Sequence, residues 1–98
     1  MAEFENKELG VKFTVPEELS LRDELAYYSG VDPSQPWMVS MWQSALVLIR
    51  DWECKEIPNP HQLDLDKRQK RQVFQIVTWA GAQVSSHVNR LGVPDPKA

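Results

Sequence analysis

WMVSMWQSALVLIRDW, residues 37–52, holds three of the four tryptophans of the chain, and the rest of the sequence is read around it. At roughly 100° per residue, Trp37, Met38, Met41, Trp42, Ala45, Leu46, Leu48, Ile49 and Trp52 fall on one arc about 180° wide, broader than the stripe of a surface helix. Ser40, Gln43, Ser44, Arg50 and Asp51 share the other side. The stretch therefore reads as a buried helix with one solvated edge. Its longest apolar run, residues 45–49, is far short of the roughly 20 residues that a membrane span requires. Val39 and Val47 lie at or beyond the edge of the arc. Trp37, at the first turn beside Pro36, is the tryptophan expected to be partly exposed.

Working outward toward the N-terminus, VDPSQP at 31–36 is a loop, with Ser34 read as the cap of this long helix and Pro36 in its first turn. Before it, SLRDELAYYS at 20–29 reads as a short helix. Ser20 and Asp23 are spaced as a capping box, Gly30 stands as the stop, and Leu21, Leu25 and Tyr28 are expected to be its buried side. GVKFTVP at 10–16 alternates Val11, Phe13 and Val15 with Lys12 and Thr14, the period of a half-buried strand ended by Pro16. Residues 2–5 are placed to fold back as the second arm of a hairpin, either resting on the helical core or left as an arm for a partner.

Toward the C-terminus, ECKEIPNPHQL at 53–63 loses the helical period, and Pro58 and Pro60 make it a stiff connector. Asp64 or Asp66 then caps a third helix. Its seam is Val73, Val77, Ala80, Val84, His87 and Leu91, widened by Phe74, Ile76 and Val88 and stopped by Gly92 and Pro94. The fold expected is mainly α, a small three-helix domain with helices near 20–29, 35–53 and 66–91 and a short N-terminal β-strand or hairpin. It forms one domain over 1–98, with 1–9 and 93–98 flexible.

Composition narrows the function by exclusion. A chain of 98 residues, 42% hydrophobic and 26% charged, is sized for a single modest core. A net charge of −3 gives no general attraction to nucleic acid or an anionic membrane. The lone Cys54 excludes an internal disulfide framework. MAEFENKELG has early acids and no apolar run, unlike a signal peptide, so a cytoplasmic location is expected.

Catalytic chemistry finds few candidates. Cys54 and His61 lie seven apart around a proline connector without a legible orienting group or oxyanion element, so a packed cysteine and a surface histidine are the simpler reading. His61, Asp64 and Asp66 do not match a zinc or calcium loop, and helix capping accounts for the aspartates. His87 on the third-helix seam reads as a histidine satisfied by a neighbour. Enzyme activity, metals and cofactors are therefore not expected.

The one charge cluster is Lys67, Arg68, Lys70 and Arg71, expected around the first turns of the third helix. Cations are unfavourable there unless the aspartates offset them or an acidic partner uses them. A helix as apolar as 37–52 has more surface to bury than three helices supply, which points to self-association or a protein partner. Trp37, Val39, Val47, Lys67, Arg68, Lys70 and Arg71 are the candidate partner-binding residues.

A strand ending in FTVPEELSLRDELAYYS, then WQSALVLIRDWECKEIPNP, then LDLD leading into a helix with IVTWAG together resemble the tail assembly chaperones, small helical proteins of the tail-assembly cassette of long-tailed bacteriophages. The resemblance spans about residues 11–91 and rests on the order of elements. It implies a non-enzymatic protein of the bacterial host cytoplasm that binds the tape-measure protein, keeps that long helical chain soluble and recruits major tail subunits. It carries no catalytic residue over to this sequence. The alternatives are a structural subunit of the phage neck or tail and a small nucleic-acid-binding regulator using the basic run 67–71.

Overall fold

The alternation of Val11, Phe13 and Val15 builds the middle strand of a sheet. A computed structural model of the chain describes residues 1–92. Its elements are β1 (Ala2–Asn6), β2 (Val11–Val15), α1 (Leu21–Ser29), α2 (Trp37–Leu48), β3 (Arg50–Cys54), a 3-10 turn (Pro60–Gln62) and α3 (Arg71–Gly92). The expected hairpin forms, with Phe4 opposite Phe13 and Ala2 opposite Val15. Gly10, at φ 69, closes its turn by donating from its backbone N–H to the Asn6 carbonyl, while the Asn6 side chain accepts from Leu9. Residues 1–9, expected to be flexible, are taken up by β1 and this turn.

The fold class differs from the expectation. The strands form one antiparallel sheet in the order β1-β2-β3, and with three helices the fold is α+β, not a mainly α three-helix domain. The added element is β3, which occupies residues expected to finish the second helix. α2 ends at Leu48, with Ile49 already extended. The Arg50 guanidinium folds back to donate to the Val47 carbonyl at 2.7 Å and the Ile49 carbonyl at 3.1 Å, so a cation satisfies the carboxyl end of the helix. The chain then pairs with β2, Val11 opposite Cys54 and Lys12 opposite Glu53.

Between Lys12–Glu53 and Thr14–Arg50 the register shifts. Phe13 alone faces both Asp51 and Trp52, the two-against-one count of a β-bulge. Asp51 sits in the left-handed region at φ 51, which aspartate tolerates better than most side chains. Its carboxylate accepts from the Thr14 hydroxyl at 2.8 Å. The bulge places Trp52 on the inner face, stacked on Phe13 with ring centroids 5.8 Å apart.

Phe13 is the centre of the molecule. It stacks on Phe4 at 5.5 Å and meets the edge of Trp79 from α3 at 5.8 Å, while Trp52 in turn meets Trp42 of α2 at 6.0 Å. Val11, Val15, Leu48, Ile76, Ala80, Val84 and Val88 are buried in the same core. His87 is buried and edges onto Phe4; its Nε2 lies 2.9 Å from the Pro16 carbonyl, which can only accept, so the proton is on Nε2. The α3 seam is centred on Ile76, Val84 and Val88, with Phe74 and Leu91 exposed.

Two further expectations are corrected. Ser40 and Ser44, assigned to the wet edge of the central helix, are buried under the α1–α2 connection. The Ser40 hydroxyl accepts from the Asp32 N–H and donates to the Asp32 carbonyl. Ser34 caps nothing: Pro36 is the N-cap of α2, and Ser34 instead donates from its N–H and hydroxyl to the Asp32 carboxylate. These bonds, the hydroxyl's first, hold the Asp32 carboxyl below its ordinary pKa. The capping box of α1 is present as read, Ser20 Oγ accepting from the Asp23 N–H and Asp23 from the Ser20 N–H. The tail at 93–98, expected to fray, lies outside the described residues.

Candidate protein-interaction surface

α1 is rotated away from the orientation its periodicity suggested. Tyr27, not the leucine stripe, is the buried residue. Burial raises its phenol pKa, against a hydrogen bond with Ser85 of α3 that lowers it. Gly30 is the second constraint: a Cβ there would stand 2.6 Å from Ser44 Oγ and 2.8 Å from Ser44 Cα, so only glycine lets the end of α1 come this close to α2. Its φ of −76 is ordinary, so the requirement is space.

With Tyr27 and Gly30 turned inward, Leu21, Leu25 and Tyr28 lie about 100–160° around the helix from Tyr27 and face solvent. They are 72%, 62% and 56% exposed, where the sequence suggested burial. Val31 and Trp37, the latter 71% exposed, line a separate groove of about 360 Å³ with Tyr27 and Met41 among others.

A second apolar feature adjoins the first through Met41 and lies between α2 and α3. Met38, Val39 and Met41 of α2 and Phe74 and Val77 of α3 enclose, with Leu65, a cleft of about 160 Å³. A second dent of about 250 Å³ opens beyond Phe74, lined by Leu63, Leu65, Lys67 and Val77 among others. Leu65 and Phe74 form the ridge between them. Small-molecule pockets usually span about 300–1,000 Å³, so the cleft suits a single anchoring side chain better than a metabolite.

The basic run borders this ridge. It lies mostly before α3, not within it, because the segment ahead of the helix closes on itself. Asp64 accepts from the Asp66 N–H at 2.9 Å, and its carbonyl accepts from the Gln69 side chain at 3.1 Å. Aspartate that bonds its own neighbouring backbone competes with a helical turn, so neither aspartate caps α3 and the helix starts at Arg71. The Arg71 guanidinium sits over the Phe74 ring, 5.0 Å from its centroid. Lys70 pairs with Glu56 at 3.7 Å; among the described residues Lys67, Arg68 and Arg71 make no salt bridge.

Of the residues singled out from sequence, Val39, Lys67 and Arg71 meet at the Phe74 ridge, with Arg68 and Lys70 beside it in the chain. Trp37 stands on the α1 side of α2. Val47 does not join them: it is half-buried against the core, about 15 Å along the helix from Trp37 at 1.5 Å per residue. Leu21, Leu25, Leu65 and Phe74 were missed as surface residues, and only their excess over what the core can hold would have marked them.

Cys54 is half-buried opposite Val11, while His61 stands exposed on the 3-10 turn. Among the described residues no group of three or more His, Cys, Asp or Glu side chains is placed to hold a metal ion. No helix of the described residues is long and apolar enough to cross a membrane. Compared with known proteins, the chain matches no family model, no curated protein and no solved structure.

Proposed function

We propose that this protein is a non-enzymatic protein-interaction module that binds helical partners, and that it acts as an assembly chaperone of a phage tail, bound to the tape-measure protein in the host cytoplasm. One observation carries the reading. The three apolar residues of α1 share a face, and that face points to solvent although the chain has a sheet and two other helices available to cover it. An outward stripe at spacings of four and three is the pattern by which a helix packs on another protein. The cleft beside Phe74 adds a socket for an apolar anchor. The resemblance to tail assembly chaperones supplies the partner: a tape-measure protein is a long helical chain that must be covered until tail subunits polymerise around it.

The test is co-expression with a phage tape-measure protein. The soluble fraction of that protein should rise with the wild-type chain and fall back with Leu21→Asp/Leu25→Asp, whose exposed sites leave the fold intact. A tape-measure protein that is equally soluble with and without the chain overturns the proposal.

A further inference from the structure

The groove beside Trp37 carries chemistry that the α1 stripe does not use. Trp37, Ser40, Met41 and Ser44 stand at i, i+3, i+4 and i+7 on one face of α2, and all four line this groove of about 360 Å³ with Tyr27 of α1 and Ser85 of α3. Its size falls within the range of small-ligand sites. Among the described residues lining it, Asp32 alone is charged.

Asp32 is fixed by its surroundings. The Ser40 hydroxyl bonds its N–H and its carbonyl at 3.1 and 3.0 Å, and that carbonyl also accepts from the Gln35 N–H at 3.0 Å. Oδ1 of the carboxylate accepts twice from Ser34, at 2.9 and 2.7 Å, bonds that favour the ionised form. Oδ2 takes no hydrogen bond, and Asp32 joins no salt bridge among the described residues. Deeper in the groove, the Ser44 hydroxyl is fully buried and has no hydrogen-bond partner among the described residues. It lies one helical turn, about 5.4 Å, beyond the Ser40 hydroxyl that anchors Asp32. A buried hydroxyl left unpaired is costly, and a donor entering the groove relieves that cost.

We infer that this groove binds a guanidinium group, stacked on the exposed Trp37 indole and donating N–H bonds to Asp32 Oδ2 and Ser44 Oγ. An indole face beside an unpaired carboxylate attracts a cation, and no cation among the lining residues opposes it. Guanidinium is flat, so it lies on the indole, and its N–H donors radiate in its own plane as a fork that reaches two separate acceptors. An alkylammonium is neither flat nor forked. An anion would meet Asp32, and a wholly apolar ligand would leave both Asp32 and Ser44 without partners. The inference rests on this groove alone and is independent of the α1 stripe and of the tape-measure reading. An arginine side chain of a partner and a free guanidino compound present the same head group.

The experiment is a two-dimensional ¹H–¹⁵N NMR titration of the full chain, at fixed ionic strength, with ethylguanidinium chloride, N-acetylarginine amide and N-acetyllysine amide. A few contacts in an open groove correspond to a dissociation constant of about 1–10 mM. The Trp37 indole N–H resonance, assigned by its loss in Trp37→Phe, should shift and saturate with both guanidinium probes. The lysine probe should bind about tenfold more weakly. Asp32→Asn should weaken binding by about tenfold, because a hydrogen bond to a charged group is worth about that factor. Ser44→Ala should also weaken binding while leaving the fold at least as stable, since it removes a hydroxyl that has no partner; far-UV circular dichroism and thermal melts check both variants. Shifts that rise linearly without saturating, a lysine probe that binds as well as the arginine probe, or Asp32→Asn that binds like wild type overturns the inference. Tighter binding of N-acetylarginine amide than of ethylguanidinium supports it with a polypeptide arginine as the source; equal or weaker binding supports it with a free guanidino compound.

Discussion

Phe13→Ala is the sharpest test of the fold. The Phe13 ring is fully buried and is held by Phe4, Trp52 and Trp79 at centroid distances of 5.5, 5.8 and 5.8 Å, one from each neighbouring strand and one from α3. Removing a buried phenylalanine costs about 3–5 kcal/mol, because three rigid rings cannot collapse fully into the space. A chain of 98 residues has a total stability of about 5–15 kcal/mol, so the variant keeps a reduced fraction of it or unfolds. At about 4–8 °C per kcal/mol for this size, the melting temperature should fall by about 12–40 °C. Phe74→Ala is the control, the same change at a half-exposed ring, where the Arg71 contact and part of the cleft wall beside Leu65 are lost and the cost stays below about 2 kcal/mol. Urea unfolding followed by far-UV circular dichroism and tryptophan fluorescence reads both, since Trp52 and Trp79 touch Phe13. If Phe13→Ala costs no more than Phe74→Ala, the sheet is an appendage to a helical core and the reasoning fails.

Gly30→Ala should destabilise by about 1–3 kcal/mol, since its Cβ meets the backbone of Ser44, whereas Gly81→Ala should be neutral or stabilising by up to about 1 kcal/mol. There the new Cβ meets only the flexible end of Met41, and paired thermal melts compare the two. At the bulge, Asp51→Val puts a β-branched residue at positive φ and should cost about 1–3 kcal/mol, while Asp51→Gly, exchanging the Thr14 hydrogen bond for conformational freedom, should stay within about 1 kcal/mol by urea titration. Burial raises the Tyr27 pKa above its unfolded value near 10, so the associated stability is fully present below about pH 10 and is lost as pH rises through the folded value. Tyr27→Phe should lose less stability between about pH 9 and about pH 11 in urea titrations; an unchanged alkaline loss refutes the assignment to Tyr27.

What the sequence showed and what it concealed divide along one line. Val11, Phe13 and Val15 announce a strand, Ser20 with Asp23 announces a cap, and Gly30 punctuates as expected, because each signal is carried by neighbours in the chain. β3 is different. Trp52 stands four residues after Leu48 and so keeps helical phase, but it also alternates with Glu53 toward Cys54, and a short apolar run fits both periods. The decision is made by Thr14 and Lys12, about 40 positions away, which offer backbone partners that a helix cannot use. The rotation of α1 was concealed for a related reason. Spacing shows that Leu21, Leu25 and Tyr28 share a face; it does not show which way that face turns, and here Tyr27 and Gly30 take the inner position. The start of α3 turned on Asp64, whose side chain could cap a helix or close a turn, and it closes a turn.

The size of the α1 stripe limits what can cover it. Leu21 and Leu25 are about two-thirds exposed, and full burial of a leucine is worth about 1.5–3 kcal/mol, so covering both gains about 2–4 kcal/mol. Association costs about 4–15 kcal/mol in lost freedom before any contact is counted. The stripe laid on a flat polar surface would therefore not hold. It holds only where the partner contributes apolar surface of its own. A helical partner of the kind proposed must therefore offer a broad apolar face of its own.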